Sequence, residues 1–239
     1  MLVQAPRRVK LKTLPYKTPM ETKRAATRRL PDAPARALGV REANKSKRLS
    51  RIKEAARALF LRRGYDRTTL RMIGERAGVG AGTIFRNVAD KRDLLYLLFN
   101  EDHRQVTEEA VHVISESASF LDQCVSGFRF YYRYFGRNPD FARAVLREAT
   151  FYVPRPGNHA HEASTRSIAR IKQTVAIARK RGEIKSPAAD EAIALLIFEI
   201  YQMECRRWLA SPKPDVRRGL QSLRGTLELL LQGLGPTGH

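Results

Sequence analysis

Cysteine is nearly missing: Cys124 and Cys205 are the only two in 239 residues. So few, so far apart, build no disulfide framework, and both fall in helical patterns where a buried thiol is the ordinary role. Long apolar runs are missing as well. The longest, Ala192 to Phe198, is well short of the roughly eighteen residues a membrane span needs, and no apolar secretory core follows Met1. A cytoplasmic chain with no membrane partner is expected. Histidine is sparse, and its one close pair, His159 and His161, lies beside Pro154, Pro156 and Gly157, which suits a loop and supplies at most two ligands. No metal site is expected from it. Acid is scarce relative to base: 24 Asp and Glu stand against 45 Lys and Arg, a formal charge of +21 and a pI near 10.7. Such an imbalance is an electrostatic footprint for a polyanion, giving affinity without sequence information and a steep salt dependence.

What is present begins with helical periodicity. Ile52, Ala55, Ala56, Leu59 and Phe60 recur as the stripe of a helix packed on one face, and Arg63 followed by Gly64 reads as its C-terminus. Leu70, Ile73 and Ala77 make a shorter stripe after Thr68 and Thr69, either of which can cap it with a hydroxyl. Gly78 marks a turn, and Val79 an apolar plug between two short helices. A third helix is expected from about Gly80 to Val88, with Ile84 and Val88 inward. Its outer face carries Ala81, Gly82, Thr83, Phe85, Arg86 and Asn87. A helix that enters a major groove needs small residues at its start, so the backbone can approach, and donors beyond them that reach base edges. Asp90 and Asp93 then form a capping pattern ahead of Leu94, Leu95, Leu97 and Leu98, with Lys91 in the first turn of a longer helix.

The stretch from Leu49 to Phe99 resembles the N-terminal domain of the TetR family of bacterial transcriptional regulators. The resemblance is carried by Ile52, Ala55, Ala56, Leu59, Phe60, Gly64, Tyr65, Thr68, Thr69, Ile73, Ala77, Gly78, Val79, Gly82, Thr83, Ile84, Phe85, Lys91 and Leu94. It implies that Thr69 and Lys91 grip phosphates while Ala81, Gly82, Thr83, Phe85, Arg86 and Asn87 face the groove. Two positions depart from the family pattern: Gly80 stands where Ser or Thr is common, and Phe85 where Tyr is common. The first removes a side-chain cap, the second a hydroxyl. Arg86 and Asn87 suit guanine and adenine respectively, each pairing worth roughly 1 to 3 kcal/mol of discrimination, and phosphate contact or plain solvation are the alternatives.

Residues 1 to 48 hold 14 Lys and Arg against 3 Asp and Glu, with Pro6, Pro15, Pro19, Pro31 and Pro34 among them and no sustained apolar period. They read as a disordered basic arm, with Arg28, Arg29, Lys47 and Arg48 as candidates for the minor groove; an uncommitted tail, an organelle transit peptide, or a true start at Met20 are the other readings. Beyond Phe99, further helical stripes follow. Leu121 to Phe135 ends at Gly136 and Pro139, Phe141 to Tyr152 stops at Pro154, and Ile168 to Ala178 runs to Gly182. Ser186 and Pro187 are expected to open a helix carrying Ile193, Leu196, Ile197, Ile200 and Trp208. A last helix after Asp215 sets Val216, Leu220, Leu223, Leu227, Leu230 and Leu234 in a narrow seam, suited either to a second subunit or to its own core.

The expected architecture is therefore all-α with about nine helices. A basic arm (1–46) precedes a three-helix helix-turn-helix domain (47–107, the motif at about 70–89) and a larger helical ligand-binding and dimerisation domain (108–239). Phe128, Tyr131, Tyr132, Phe151, Tyr201 and Trp208 are candidates to line a small-molecule pocket. By the resemblance, the expected function is a homodimeric, ligand-responsive repressor on a palindromic site in double-stranded DNA, with an unidentified small-molecule effector and no cofactor. Transcriptional activation by the same fold and sequence-indifferent architectural binding are the alternatives. No enzyme is expected: Gly78, Gly80 and Gly82 follow no strand and precede no Walker lysine.

Overall fold

The computed structural model describes residues 35–111, 115, 117–150 and 162–233. These form nine α-helices and no strand: α1 Ala35–Arg63, α2 Leu70–Ala77, α3 Ala81–Phe85, α4 Lys91–Val111, α5 Phe120–Arg137, α6 Pro139–Ala149, α7 Glu162–Lys180, α8 Asp190–Leu209 and α9 Val216–Gly233. Residues 42–239 make up one unit, and the packing below belongs to it.

The local chemistry explains most boundaries. Of the two threonines before α2, Thr69 is the cap, accepting from Met72 N at 3.2 Å; buried Thr68 instead donates to Gly64 O at 2.8 Å. Gly78 is left-handed at φ 62°, and its N–H returns to the last turn of α2, the C-terminal signature of a glycine stop. Asp90 and Asp93 make a reciprocal cap: Asp93 N donates to Asp90 Oδ1 at 2.7 Å and Ala89 N to Asp93 Oδ2 at 3.0 Å. Asp215 opens α9 by accepting from Arg218 N at 2.8 Å.

Several expectations need correction. α1 begins at Ala35, so residues 35–46 of the expected arm are helical. They follow the last proline of the leader and are mostly good helix formers, so the helix propagates backward from the packed stripe. α3 ends at Phe85 rather than Val88, with Asn87 N and Val88 N both closing on Ile84 O. α8 starts at Asp190, not at Ser186 and Pro187. Arg179 is the cause: its guanidinium donates to Asp190 Oδ1 (2.8 Å), Ser186 O (2.5 Å) and Ala188 O (2.7 Å), holding the connecting turn open. Finally, α4 runs unbroken through the expected boundary at 107/108.

Two apolar clusters result. The first joins Ile52, Ala56, Phe60, Ile73, Ile84, Val88, Leu94, Leu95 and Leu98 from α1 to α4, and α6 adds Phe141, Ala144 and Val145. The second lies among α4, α5, α7, α8 and α9 and includes Phe128, Tyr132, Phe135, Val175, Ile197 and Trp208. Phe99 and Tyr134 touch both. The seam of α9 faces this second core: Leu223 and Leu227 are buried, and Val216, Leu220 and Leu230 pack against it. Leu234 lies outside the described residues. Buried Glu204 of α8 accepts the hydroxyls of Ser222 (2.8 Å) and Thr226 (2.9 Å) and pairs with Arg207 at 2.9 Å, so its charge fixes α9 on α8.

Candidate nucleic-acid interface and ligand cavity

The helix-turn-helix is held from inside by Ile73, Ala77, Ile84 and Val88, all buried, which leaves the other side of α3 to solvent. Phe85 is 61% exposed, an uncommon position for a large ring with no packing partner. Thr69, Gly82 and Arg86 are exposed and Thr83 and Asn87 half-buried. Ala81 opens α3. A Cβ at Gly80 or Gly82 would meet nothing within 4 Å, so the protein's own packing does not require either glycine; the open space lies where a partner's backbone would come close.

Two of the candidate base readers are partly engaged. Asn87 Nδ2 donates to Thr83 O at 2.6 Å, and Arg86 Nη2 to Thr83 Oγ1 at 3.3 Å. Asn87 must turn away from its own helix to read a base edge, whereas Arg86 keeps most of its donors. Lys91 is bound inward: Nζ donates to Tyr65 O at 2.9 Å and sits 4.1 Å from the Tyr65 ring centroid. In this geometry it ties the start of α4 to the loop before α2. Arg51, which the sequence reading missed, reaches Gly78 O at 3.2 Å and so stands at the turn; no local pattern could reveal a contact 27 residues away. Lys47 and Arg48, expected in a flexible arm, are exposed on α1, with Arg48 Nε on Asn44 O at 3.0 Å. Arg28 and Arg29 lie outside the described residues.

Polar contacts fasten this module to the rest. Arg57 makes a two-pronged pair with Asp102, both contacts 2.7 Å, and Tyr134 donates to the same carboxylate at 2.7 Å. Lys53 pairs with Glu101. On the α6 side, Tyr96 donates to Val145 O at 3.3 Å, Arg92 pairs with Glu148 at 2.9 Å and Arg147 with Asp66 at 2.6 Å. The Arg147 guanidinium holds the Asp66 carboxyl below the usual carboxylate range, and Asp102 raises Arg57. Asp102→Ala leaves Arg57 and Tyr134 without their acceptor, and we expect a loss of about 1 to 3 kcal/mol, discounted for the partial exposure of Arg57. Urea unfolding checks it; an unchanged midpoint refutes it.

The larger helical part holds two small cavities. One, of about 60 Å³, lies among α4, α5 and α7 and is lined by Thr107, Ala110, Gln123, Cys124, Phe128, Tyr131, Ser167, Arg170 and Ile171. The other, of about 40 Å³, is lined by Phe99, His103, Phe135, Phe198 and Tyr201. Ser167 borders both, and its hydroxyl meets His103 Nε2 at 3.0 Å. Thr107 Oγ1 meets Tyr131 OH at 2.7 Å and His103 Nδ1 at 3.3 Å. Burial, with the Arg166 charge nearby, drives His103 down to about 3, so it is neutral here at physiological pH. Of the candidate pocket residues, Phe128 and Tyr131 line the first cavity and Tyr201 the second, stacked on Phe128 at 4.3 Å. Tyr132 and Trp208 line neither and are core residues against α9, Trp208 Nε1 donating to Asp215 O at 2.8 Å. Phe151 lies outside the described residues. Cys124 and Cys205 are buried thiols, each pushed up to about 12 by desolvation.

A buried-core helix-turn-helix whose outer face is left to solvent is suited to binding DNA. Residues 52–96 match the model of the bacterial regulatory proteins of the tetR family, so this part of the chain carries a TetR-type DNA-binding domain. No curated protein matches it in sequence. Among solved structures it is similar to Thermus thermophilus FadR, a repressor in complex with lauroyl-CoA, at 23% identity over 80% of this chain and 97% of that one (TM-score 0.66). It is also similar to Bacillus subtilis FadR in complex with stearoyl-CoA, at 20% identity over 78% and 99% (TM-score 0.62). RolR in complex with resorcinol is 16% identical over 82% and 91% (TM-score 0.63). At these identities the likeness concerns the fold. No helix among the described residues is long and apolar enough to cross a membrane.

Proposed function

We propose that this regulator is a homodimeric repressor that reads a two-fold operator in double-stranded DNA and is released by a small molecule bound in its larger helical part. It acts in the cytoplasm at the chromosome and catalyses no reaction. The observation that carries the reading is the outer face of α3, where Thr83, exposed Phe85 and Arg86 project from a helix whose inner residues are locked in a core. Phe85 suits the methyl group of thymine and Arg86 the acceptor edge of guanine. Dimerisation is supported by exposed apolar side chains on the two final long helices, Leu195, Leu196 and Met203 on α8 and Leu229 on α9, the last 70% exposed. A two-fold pair also doubles the DNA surface that one short recognition helix buries. The cavity beside Phe128 and Tyr131 receives the effector. At about 60 Å³ it is smaller than the roughly 150 Å³ that holds benzene, so entry must spread α4, α5 and α7. α4 continues to the helix-turn-helix, so the effector changes the spacing of the two DNA-binding modules.

The formal charge of +21 favours one rival, an architectural binder without sequence preference. Fluorescence anisotropy on the DNA upstream of its own gene, with scrambled competitor at about 0.15 M salt, separates them. We expect retained binding to the native duplex and a roughly tenfold to hundredfold loss in Arg86→Ala, from about 1 to 3 kcal/mol of base contact. Equal displacement by scrambled DNA on any upstream or selected site would favour the architectural binder.

A further inference from the structure

A large concavity in the larger helical part is on its outside, between α5 and α9. It encloses about 460 Å³ and is lined by Val125, Arg129 and Arg133 of α5 and by Val216, Arg217, Leu220, Gln221 and Arg224 of α9. Four guanidinium groups therefore share one groove with an apolar floor. Only Arg224 is neutralised, by Asp122, with Glu228 at 3.8 Å. Among the described residues, no ion pair or hydrogen bond engages the side chains of Arg129, Arg133 or Arg217; Asp215, held below its usual range first by the backbone N–H of Arg218, feels the Arg217 charge but is not paired with it. Three like charges facing one concavity repel one another, and a bound polyanion relieves that cost.

We propose that this groove binds an organic polyphosphate: a small molecule with at least two phosphate groups on an apolar or aromatic body. Arginine is suited to phosphate because its planar fork gives two parallel hydrogen bonds. Arg129 and Arg133 stand one helical turn apart on one wall and Arg217 faces them from the other, so adjacent phosphates are gripped from both sides. Val125, Val216 and Leu220 offer the body an apolar seat. Size separates this occupant from macromolecules. The lining covers about two turns of each helix, roughly 12 Å, and its volume falls in the range of about 300 to 1,000 Å³ usual for small-molecule sites. That is short for a docked acidic helix, and a concave groove with an apolar floor fits poorly to the convex backbone of a duplex. The site is distinct from the effector cavity, since Cys124, Phe128 and Tyr131 line that cavity from another face of α5. The proposal does not depend on the effector reading.

The test uses the full chain, a fluorescent ATP as probe and unlabelled pyrophosphate as competitor, at about 0.15 M salt to suppress nonspecific attraction. We expect saturable binding, competed by pyrophosphate and weakened about tenfold or more in the double variant Arg129→Ser, Arg133→Ser. A control that removes the same charge elsewhere, Lys180→Ser with Lys185→Ser, should change binding less than about twofold if the groove and not net charge is responsible. All four side chains belong to exposed residues, and matched thermal melts establish that each variant is folded. No saturable binding to the wild type, or equal weakening by both double variants, overturns the proposal. A larger loss of nonspecific duplex binding than of ATP binding in the arginine variant also overturns it, and would assign the groove to nucleic acid.

Discussion

Replacing Gly219 with leucine is expected to cost about 3 kcal/mol or more and to lower the melting temperature by roughly 6 to 12 °C. Gly219 lies inside α9, where glycine ordinarily weakens a helix by about 1 kcal/mol relative to alanine. Its neighbours explain its use. A Cβ there would stand 2.6 Å from Tyr132 Cε1 and 2.8 and 2.9 Å from Trp208 Cδ1 and Cγ. Neither ring can yield: Tyr132 is fully buried, and Trp208 is held by its hydrogen bond to Asp215 O. The missing side chain thus lets α9 lie directly on the aromatic pair. Gly225, on the same helix, would meet nothing within 4 Å, so Gly225→Ala should stabilise by about 1 kcal/mol. Differential scanning calorimetry of the two variants decides the matter; a shift of the same sign in both would refute this account of the α5–α8–α9 packing.

The second large effect concerns acid. His103 is 3% exposed, and its ring lies among Phe99, Tyr131, Thr107 and Ser167 with Arg166 nearby. Desolvation holds it near 3, far below the unfolded value of about 6.5. A base depressed in the folded state binds its proton only on unfolding, so the unfolded chain holds more protons between those two values. Stability from this site is complete above about pH 6.5 and falls as pH decreases toward 3. From pH 7.5 to pH 5 the loss should be about 2 kcal/mol, at roughly 1.4 kcal/mol per pH unit. His103→Gln should flatten this slope. Carboxylates held low by arginine, such as Asp66 and Asp122, lose their contribution only below about pH 4. The interval from pH 5 to 7.5 therefore isolates histidine. The other four histidines are common to both proteins. Urea midpoints across this interval provide the check, and equal slopes in wild type and variant would show that His103 is not the proton site.

Much of the helix-turn-helix could be read directly. Gly64, Gly78 and the Asp90–Asp93 pair act through backbone geometry within four residues, so their spacing in the chain is also their spacing in space. The stripe of Ile52 to Phe60 is a similar case, because helical period brings those residues to one face before any tertiary contact forms. What the sequence did not show arose where a partner was distant. Lys91 reads as a phosphate ligand, and its bond to the carbonyl of Tyr65, 26 residues earlier, has no trace in the local pattern. Ser186 and Pro187 look like a helix start until Arg179 draws the carbonyls of Ser186 and Ala188 outward. Tyr132 and Trp208 look like pocket aromatics until Gly219 admits them to the core.

The candidate functional site divides in the same way. The residues of the α3 outer face follow from the motif, yet their availability does not: Asn87 is turned onto Thr83 O and Arg86 is largely free. The arginine groove has no trace in the linear order, since Arg129 and Arg217 are 88 positions apart and belong to separate helical stripes.

The sequence by itself determined the all-helical class, the helix-turn-helix and an excess of positive charge suited to a polyanionic partner, because periodicity, capping and net charge are properties of neighbouring residues or of composition. Only the tertiary structure decided that the α9 seam serves its own core, that α6 completes the first core, that His103 is kept neutral and that four arginines share one groove. Those outcomes depend on desolvation and on contacts between segments remote in the chain, which no local pattern encodes.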